Sequence, residues 1–263
     1  MPPEAVLTVF TTLADVNTNT SPVGLDFGAV EDAGVVVSHT SKKLVVSAGA
    51  GAYTFQGTGF GAFDGHGWPT VGTIEKITIS INATDVATFT GLSIGMALWR
   101  SLSETRDTAG FSQALLGAND TLVGAGDAQV LFGHAGDDVI NGRNGNDLIN
   151  GGAGKDIMRG GEGKDRFAFS AAADSTLLRP DLINDLHDND KIDLKAIDAD
   201  RSTFGNQAFV LVGAFSNTAG ELTVSYDAGG DVTFIRGDTD GDGEANLVIL
   251  ADGSHAAYDN FLL

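Results

Sequence analysis

Between Gly133 and Ala168 the chain repeats itself every nine residues. In frame, the stretch reads GHAGDDVIN, GRNGNDLIN, GGAGKDIMR and GGEGKDRFA, variants of G-G-x-G-x-D-x-U-x in which U is large and apolar. Glycine holds position 4 (Gly136, Gly145, Gly154, Gly163), aspartate position 6 (Asp138, Asp147, Asp156, Asp165) and an apolar residue position 8 (Ile140, Ile149, Met158, Phe167). Glycine allows positions 1–6 to turn tightly. Positions 7–9 suffice only for a three-residue strand, whose middle side chain alone points inward. One unit is therefore half a coil and two units a full coil, with coils stacked at the strand spacing of about 4.8 Å. A flexible linker would keep neither the frame nor the inward apolar residue.

Stacking sets each turn beside the turn two units on, so Asp138 is expected to face Asp156, and Asp147 to face Asp165. Two carboxylates at close range repel or take up a proton. A hard dication relieves this, since Ca²⁺ takes six to eight oxygens from carboxylates and backbone carbonyls. The nonapeptide resembles the calcium-binding repeat of RTX (hemolysin-type) proteins, which form parallel β-rolls. The resemblance implies carbonyl ligands from Gly133, Ala135, Gly152 and Gly154 at the first site, and from Gly142, Asn144, Gly161 and Gly163 at the second. Gly151 and Ala153, positions 1 and 3 of the third unit, join the candidate ligands.

The frame extends upstream. Leu115–Val123 keeps Asp120 and Leu122, and Gly124–Phe132 keeps Leu131 but has Gln129 in place of aspartate. This predicts a site joining Asp120 to Asp138 and a crippled one at Gln129 with Asp147. Downstream, Phe169–Leu177 loses its glycines but keeps Asp174 in register, which is expected to close a terminal site with Asp156. Position 7 should face solvent yet reads Val130, Val139, Leu148 and Ile157, a row expected to be covered by another part of the chain.

Beyond Arg179 the segments PDLINDLHDNDKIDLKAID and AGELTVSYDAGGDVTFIRGDTDGDGEANLVIL resemble the C-terminal domain of serralysin-type (M10) peptidases. The resemblance implies β-hairpins that cover the open end of the roll, where strand edges would otherwise be unpaired. The closing YDNFLL, with Asp259 followed by Phe261, Leu262 and Leu263, resembles a type I secretion signal and implies the type I ABC secretion machinery as a partner. The first residues lack a basic region, a sustained apolar run and a small-residue cleavage site, so export without an N-terminal signal peptide is the expectation. No apolar run is long enough for a membrane span.

Net charge is −20, and 25 of the 35 acids lie in residues 113–263. This argues against nucleic acid as a partner. There is no cysteine, hence no disulfide, thiolate metal site or thiol nucleophile. Residues 1–112 carry β-type runs at Val6–Leu13, Leu44–Ser47, Tyr53–Phe55 and Ile74–Ile81, a turn-dense segment Gly57–Thr73, and helical patterns at Met96–Leu102 and Phe111–Leu116. Asp64-Gly-His66-Gly-Trp68 reads as a structured turn with a buried tryptophan. Asp238-Thr-Asp240-Gly-Asp242-Gly resembles the start of an EF-hand loop, but Ile249 stands where the bidentate glutamate belongs. Asp185-Leu-His187-Asp188 is superficially similar to the Asp-Pro-His-Asp motif of alginate epimerases and lacks its proline. No His-Glu-x-x-His or Gly-x-Ser-x-Gly is present, so no catalytic residue is assigned.

The expectation is a mainly all-β chain in three parts. Residues 1–112 form a β-rich domain with one or two short helices, 113–177 a parallel β-roll, and 178–263 a hairpin cap with the export signal. Its expected function is that of a secreted, extracellular, non-enzymatic calcium-binding protein whose folding is triggered by calcium, an adhesion, matrix or surface component. Cell-surface polysaccharide or another extracellular protein is the expected partner of residues 1–112. The competing reading is an enzyme of unrecognised type in that segment.

Overall fold

The computed structural model describes residues 6–9, 35–39, 42–48, 51–64, 68–81, 84–98, 116–124, 126 and 128–263. They fall into two compact units, Met1–Ala125 and Gly126–Leu263. The described part of the first unit is β-structure, β1 (Val6–Val9), β2 (Val35–His39), β3 (Lys43–Ala48), β4 (Gly51–Phe63), β5 (Pro69–Ile81), β6 (Thr84–Gly95) and β7 (Thr121–Val123). Its strand order is β7-β1-β6-β5-β4-β3-β2. All neighbours are antiparallel except β1 and β7, which run parallel with Leu7 opposite Leu122. Helical conformation is seen at residues 96–98, Leu116 lies in a bend, and the rest of both expected helices lies outside the described residues.

The segment Gly57–Thr73, expected to be turns, is instead most of a β-hairpin. Gly57, Gly59 and Gly61 sit where the register shifts, between Gln56 and Gly57 and between Thr58 and Gly61. A methyl group on Gly57 would overlap the carbonyl oxygen of Thr73, so close approach of the two strands, rather than a turn, demands glycine there. At the end of the two strands the Asp64 amide donates to the Trp68 carbonyl at 2.9 Å and Asp64 Oδ1 accepts from the Trp68 amide at 3.0 Å. Trp68 is buried and meets Phe55 edge-on, with ring centroids 5.8 Å apart.

In the second unit the nine-residue period becomes two facing sheets. One face holds β9 (Val139–Asn141), β11 (Ile157–Arg159) and β13 (Asp181–Ile183), and the other β8 (Val130–Ala135), β10 (Leu148–Ala153), β12 (Arg166–Ala168) and β14 (Lys191–Asp193). Strands within each face are parallel, and Ile140 lies opposite Met158 as Ile149 lies opposite Phe167. The inward residues Leu131, Ile140, Ile149, Met158, Phe167, Ile183 and Ile192 are all buried, so the U position forms the core of the roll.

The cap extends both faces. Antiparallel β16 (Glu221–Asp227), β17 (Val232–Asp238) and β18 (Leu247–Asp252) join the first face through a parallel β18–β13 pairing, with β15 (Val210–Leu211) at the far edge. On the other face β19 (Phe261–Leu262) pairs parallel with β14. Phe261 and Leu262 of the signal-like tail are thus also an edge strand. The Tyr258 hydroxyl donates to the Asp190 carbonyl at 3.0 Å and anchors the approach to it.

Of the position-7 row, Val130, Val139 and Ile157 are not covered as expected, exposed at 44%, 45% and 38%, while Leu148 is half-buried. High β-propensity at solvent-facing strand positions accounts for them. Replacing Ile157 with lysine is therefore expected to change the stability of the calcium-loaded protein by no more than about 0.5 kcal/mol in chemical denaturation.

Candidate metal centre

The turns between these strands stack as a ladder of aspartates. The Asp138 amide donates to Asp156 Oδ1, the Asp147 amide to Asp165 Oδ1, and the Gln129 amide to Asp147 Oδ1, each at 2.8 Å. One carboxylate oxygen per rung is thereby fixed by the backbone of the turn 18 residues earlier. Gln129 forfeits a carboxylate but not this backbone link.

The second oxygen is the informative one. Oδ2 of Asp147, Asp156 and Asp165 is buried and has no hydrogen-bond partner. A methyl group on Gly142 would overlap Asp147 Oδ2 and lie 2.7 Å from the Gly160 carbonyl oxygen. One on Gly133 would overlap Asp138 Oδ2 and the Gly151 carbonyl oxygen. Carboxylate and carbonyl oxygens of successive turns therefore converge on the space over the position-1 glycine, which is why a side chain is excluded there. Carboxylate and carbonyl oxygens converging in this way could hold a hard cation. Among the other candidate carbonyls, Ala153 already accepts from the Gly136 amide at 3.0 Å.

Burial pushes these carboxyls up. Asp147 and Asp156 rise to about 6, desolvation outweighing the backbone hydrogen bond each accepts. Asp165 is raised for the same reason. Asp137, one residue before the ladder, behaves oppositely. It accepts from the Lys155 amide at 2.9 Å and pairs with Arg179, and these contacts hold it below the usual carboxylate range.

The rung above Asp156 comes from Asp181, not from Asp174. Asp181 Oδ1 accepts from the Asp156 amide at 2.8 Å, its Oδ2 is buried without a partner, and desolvation pushes its carboxyl up to about 8. Asp174 ends a 3-10 turn (Ala172–Asp174) and its Oδ2 accepts from the amides of Ser170 and Ala171. Asp190 then caps Asp165, again at a separation of 25 residues rather than 18. Its Oδ2 accepts from the His187 amide at 2.8 Å, so the ladder ends there with a hydrogen bond. Asp181-Leu-Ile183 and Asp190-Lys-Ile192 repeat D-x-U at nine residues, which is the signal that betrays them. Asp120 is buried in the first unit.

Asp238, Asp240 and Asp242 bring carboxylate oxygens within 4.8 Å of one another. Asp238 is buried and its two oxygens accept from Gly241 and Gly243 amides at 2.7 and 2.9 Å, so the loop holds itself together. Asp185 of the epimerase-like tetrad is likewise engaged, accepting from the amides of Gly160 and Gly161.

Comparison with known proteins matches residues 113–263 to the family model described as peptidase M10 serralysin C terminal. The curated metalloprotease AprA of Pseudomonas entomophila (strain L48) is 36% identical over 94 residues, which are 35% of this chain and 19% of that protein. The chain thus spans about a fifth of the curated relative it matches. Among solved structures, the AlgE6R3 subunit of the Azotobacter vinelandii mannuronan C5-epimerase is 31% identical, with a TM-score of 0.41, over 55% of this chain and 77% of that one. The AlgE6R2 subunit gives 28% identity and a TM-score of 0.42 over 56% and 88%.

Proposed function

The chain belongs to the family of serralysin-type M10 peptidase C-terminal domains, and from that premise we propose that it is a secreted RTX protein whose roll folds when it meets extracellular calcium. The observation that carries this reading is the set of buried, partnerless Oδ2 atoms at Asp147, Asp156, Asp165 and Asp181. Four ionised carboxylates in such positions oppose folding, and calcium would supply the charge and coordination that water supplies in the open chain.

Asp138 with Asp156, and Asp147 with Asp165, would hold the first two ions, together with carbonyls of Gly133, Ala135, Gly142, Asn144, Gly151, Gly152, Gly154, Gly161 and Gly163. Asp181 would serve the next turn. Binding to the stacked turns alone makes affinity into folding energy. In a low-calcium compartment the acids repel and the chain stays extended and export-competent. The tail Asp259–Leu263 would be read by the type I machinery before it docks as β19. Residues 1–112 would act as a contact module for surface polysaccharide or another extracellular protein. No residue is given a catalytic role, and the sequence has no His-Glu-x-x-His for the zinc chemistry of M10 peptidases.

Calcium titration by calorimetry separates the ligands from their neighbours. Asp181→Ala is expected to lose one bound ion relative to the unmodified protein. Asp174→Ala is expected to keep the full number and lose only about 1 kcal/mol of stability with its turn contacts. Unchanged stoichiometry in Asp181→Ala would remove Asp181 from the site.

A further inference from the structure

Three Asn–Gly peptide bonds fall within eleven residues of the roll, at Asn141–Gly142, Asn144–Gly145 and Asn150–Gly151. Asn–Gly is the dipeptide in which the following amide nitrogen most readily attacks the asparagine side chain, because glycine offers no Cβ to hinder it. We propose that these three bonds are self-modifying sites, silent in the stacked roll and reactive in a chain whose roll is open.

The step needs only water as co-reactant. The glycine nitrogen attacks the asparagine Cγ, a C–N bond forms, and the Cγ–Nδ2 bond breaks. Ammonia leaves, carrying the proton lost from the amide, and a succinimide remains. Water opens that ring at either carbonyl, giving aspartate or, when the main chain is diverted through Cβ, isoaspartate.

The folded geometry withholds both reacting groups at Asn141–Gly142 and one of the two at each of the other bonds. The Gly142 amide donates to the Arg159 carbonyl and the Gly145 amide to the Glu162 carbonyl, both at 2.9 Å. The Asn141 side chain is held by the Arg143 amide at 3.0 Å, and Asn150 Nδ2 donates to Ser170 Oγ at 3.0 Å. Asn141 and Asn150 also end or lie within extended strands β9 and β10, which keeps each side-chain carbonyl carbon away from the next amide nitrogen.

The site itself makes the liability hard to remove. Gly142 and Gly151 leave no room for a Cβ beside Asp147 Oδ2 and Asp156 Oδ2, and Gly145 takes φ 126°. The glycine half of each reactive pair is thus fixed by the turn, while Asn141 Oδ1 closes that turn by accepting from the Arg143 amide. An isoaspartate lengthens the main chain by one atom between rungs, and the nine-residue frame around Asp147 then no longer matches its neighbours. A chain left open for long becomes unable to restack, so the roll carries an irreversible record of time spent unfolded.

Its relevance to calcium rests on the function proposed above, but the chemistry depends only on whether the roll is closed. The full-length protein would be kept in mildly alkaline buffer with calcium, with chelator, or with guanidinium. Peptide mapping by mass spectrometry and isoaspartyl methylation would follow all asparagines, with circular dichroism reporting the fold. Conversion at the three sites is expected in guanidinium and slowed on the order of 100-fold with calcium, as for reaction through a rare local opening. If the chelated protein stays folded and protected, the calcium reading fails while this one stands. Equal rates in guanidinium and calcium, or equally fast conversion at Asn184, Asn189 and Asn246, would overturn it.

Discussion

Calcium-stripped protein at pH 7 is expected to lose the β-signal of residues 126–263, and acidification toward pH 5 to restore a large part of it. The direction follows from burial. Asp147 and Asp156 have folded pKa values near 6, and Asp181 near 8, against about 3.8 in the open chain. For a carboxyl raised by folding, the stabilising contribution is its protonated form. That contribution is fully present below the unfolded value and is lost as pH rises through the folded one. The metal-free roll is therefore favoured by acid, and its stability falls as pH rises from about 3.8 to about 6 through Asp147 and Asp156 and on to about 8 through Asp181. At one pKa unit per about 1.4 kcal/mol, Asp147 and Asp156 oppose the metal-free fold by roughly 3 kcal/mol each at neutral pH. Two such terms rival the whole stability of a small domain, about 5–15 kcal/mol. With millimolar calcium the dependence reverses, because the ions bind the ionised ligands and displace protons. Far-UV circular dichroism against pH, with and without calcium, checks both limbs. A stripped protein equally folded from pH 5 to pH 8 would contradict the assignment of these carboxylates as the folding switch.

Phe167→Ala is expected to cost the calcium-loaded protein about 3–5 kcal/mol, read from the denaturation midpoint. Phe167 is fully buried and stands between Ile149 and Ile192 on the same face, so its removal opens a cavity in a core one residue wide. Neighbouring strands cannot collapse into that space without breaking the hydrogen bonds that stack the coils. Arg166→Ala, on the outward side of the same strand, is expected to stay within about 0.5 kcal/mol. A loss below about 1 kcal/mol for Phe167→Ala would mean that the inward column contributes little.

Much of the roll was legible because its physics is periodic. An apolar residue at every ninth position can only be a core column, and Leu131, Ile140, Ile149, Met158 and Phe167 are buried accordingly. Asp181 and Asp190 were hidden by a seven-residue excursion, which breaks the frame while leaving the spatial ladder whole. Asp174 kept the frame and lost the place, since the turn after Ser170 consumes its carboxylate locally. In residues 57–73 glycine density suggests turns, whereas Gly57 and Gly72 serve close strand pairing, and local composition does not distinguish the two uses. The apolar row at Val130, Val139 and Ile157 needed no cover, because sheet propensity alone suffices to place such residues on an outer surface.

The point of attachment of the cap sets how the roll can change length. Each nine-residue unit crosses from one face to the other, and strands on a face of the roll are joined by steps of 18, or of 25 across the excursion. The cap strands β18 and β19 pair with β13 and β14, one on each face, and all four follow the last nonapeptide. A unit added or deleted upstream moves β13, β14 and the cap together by half a coil and leaves both pairings intact. Repeat number in such a chain can therefore change one unit at a time while the same cap is kept.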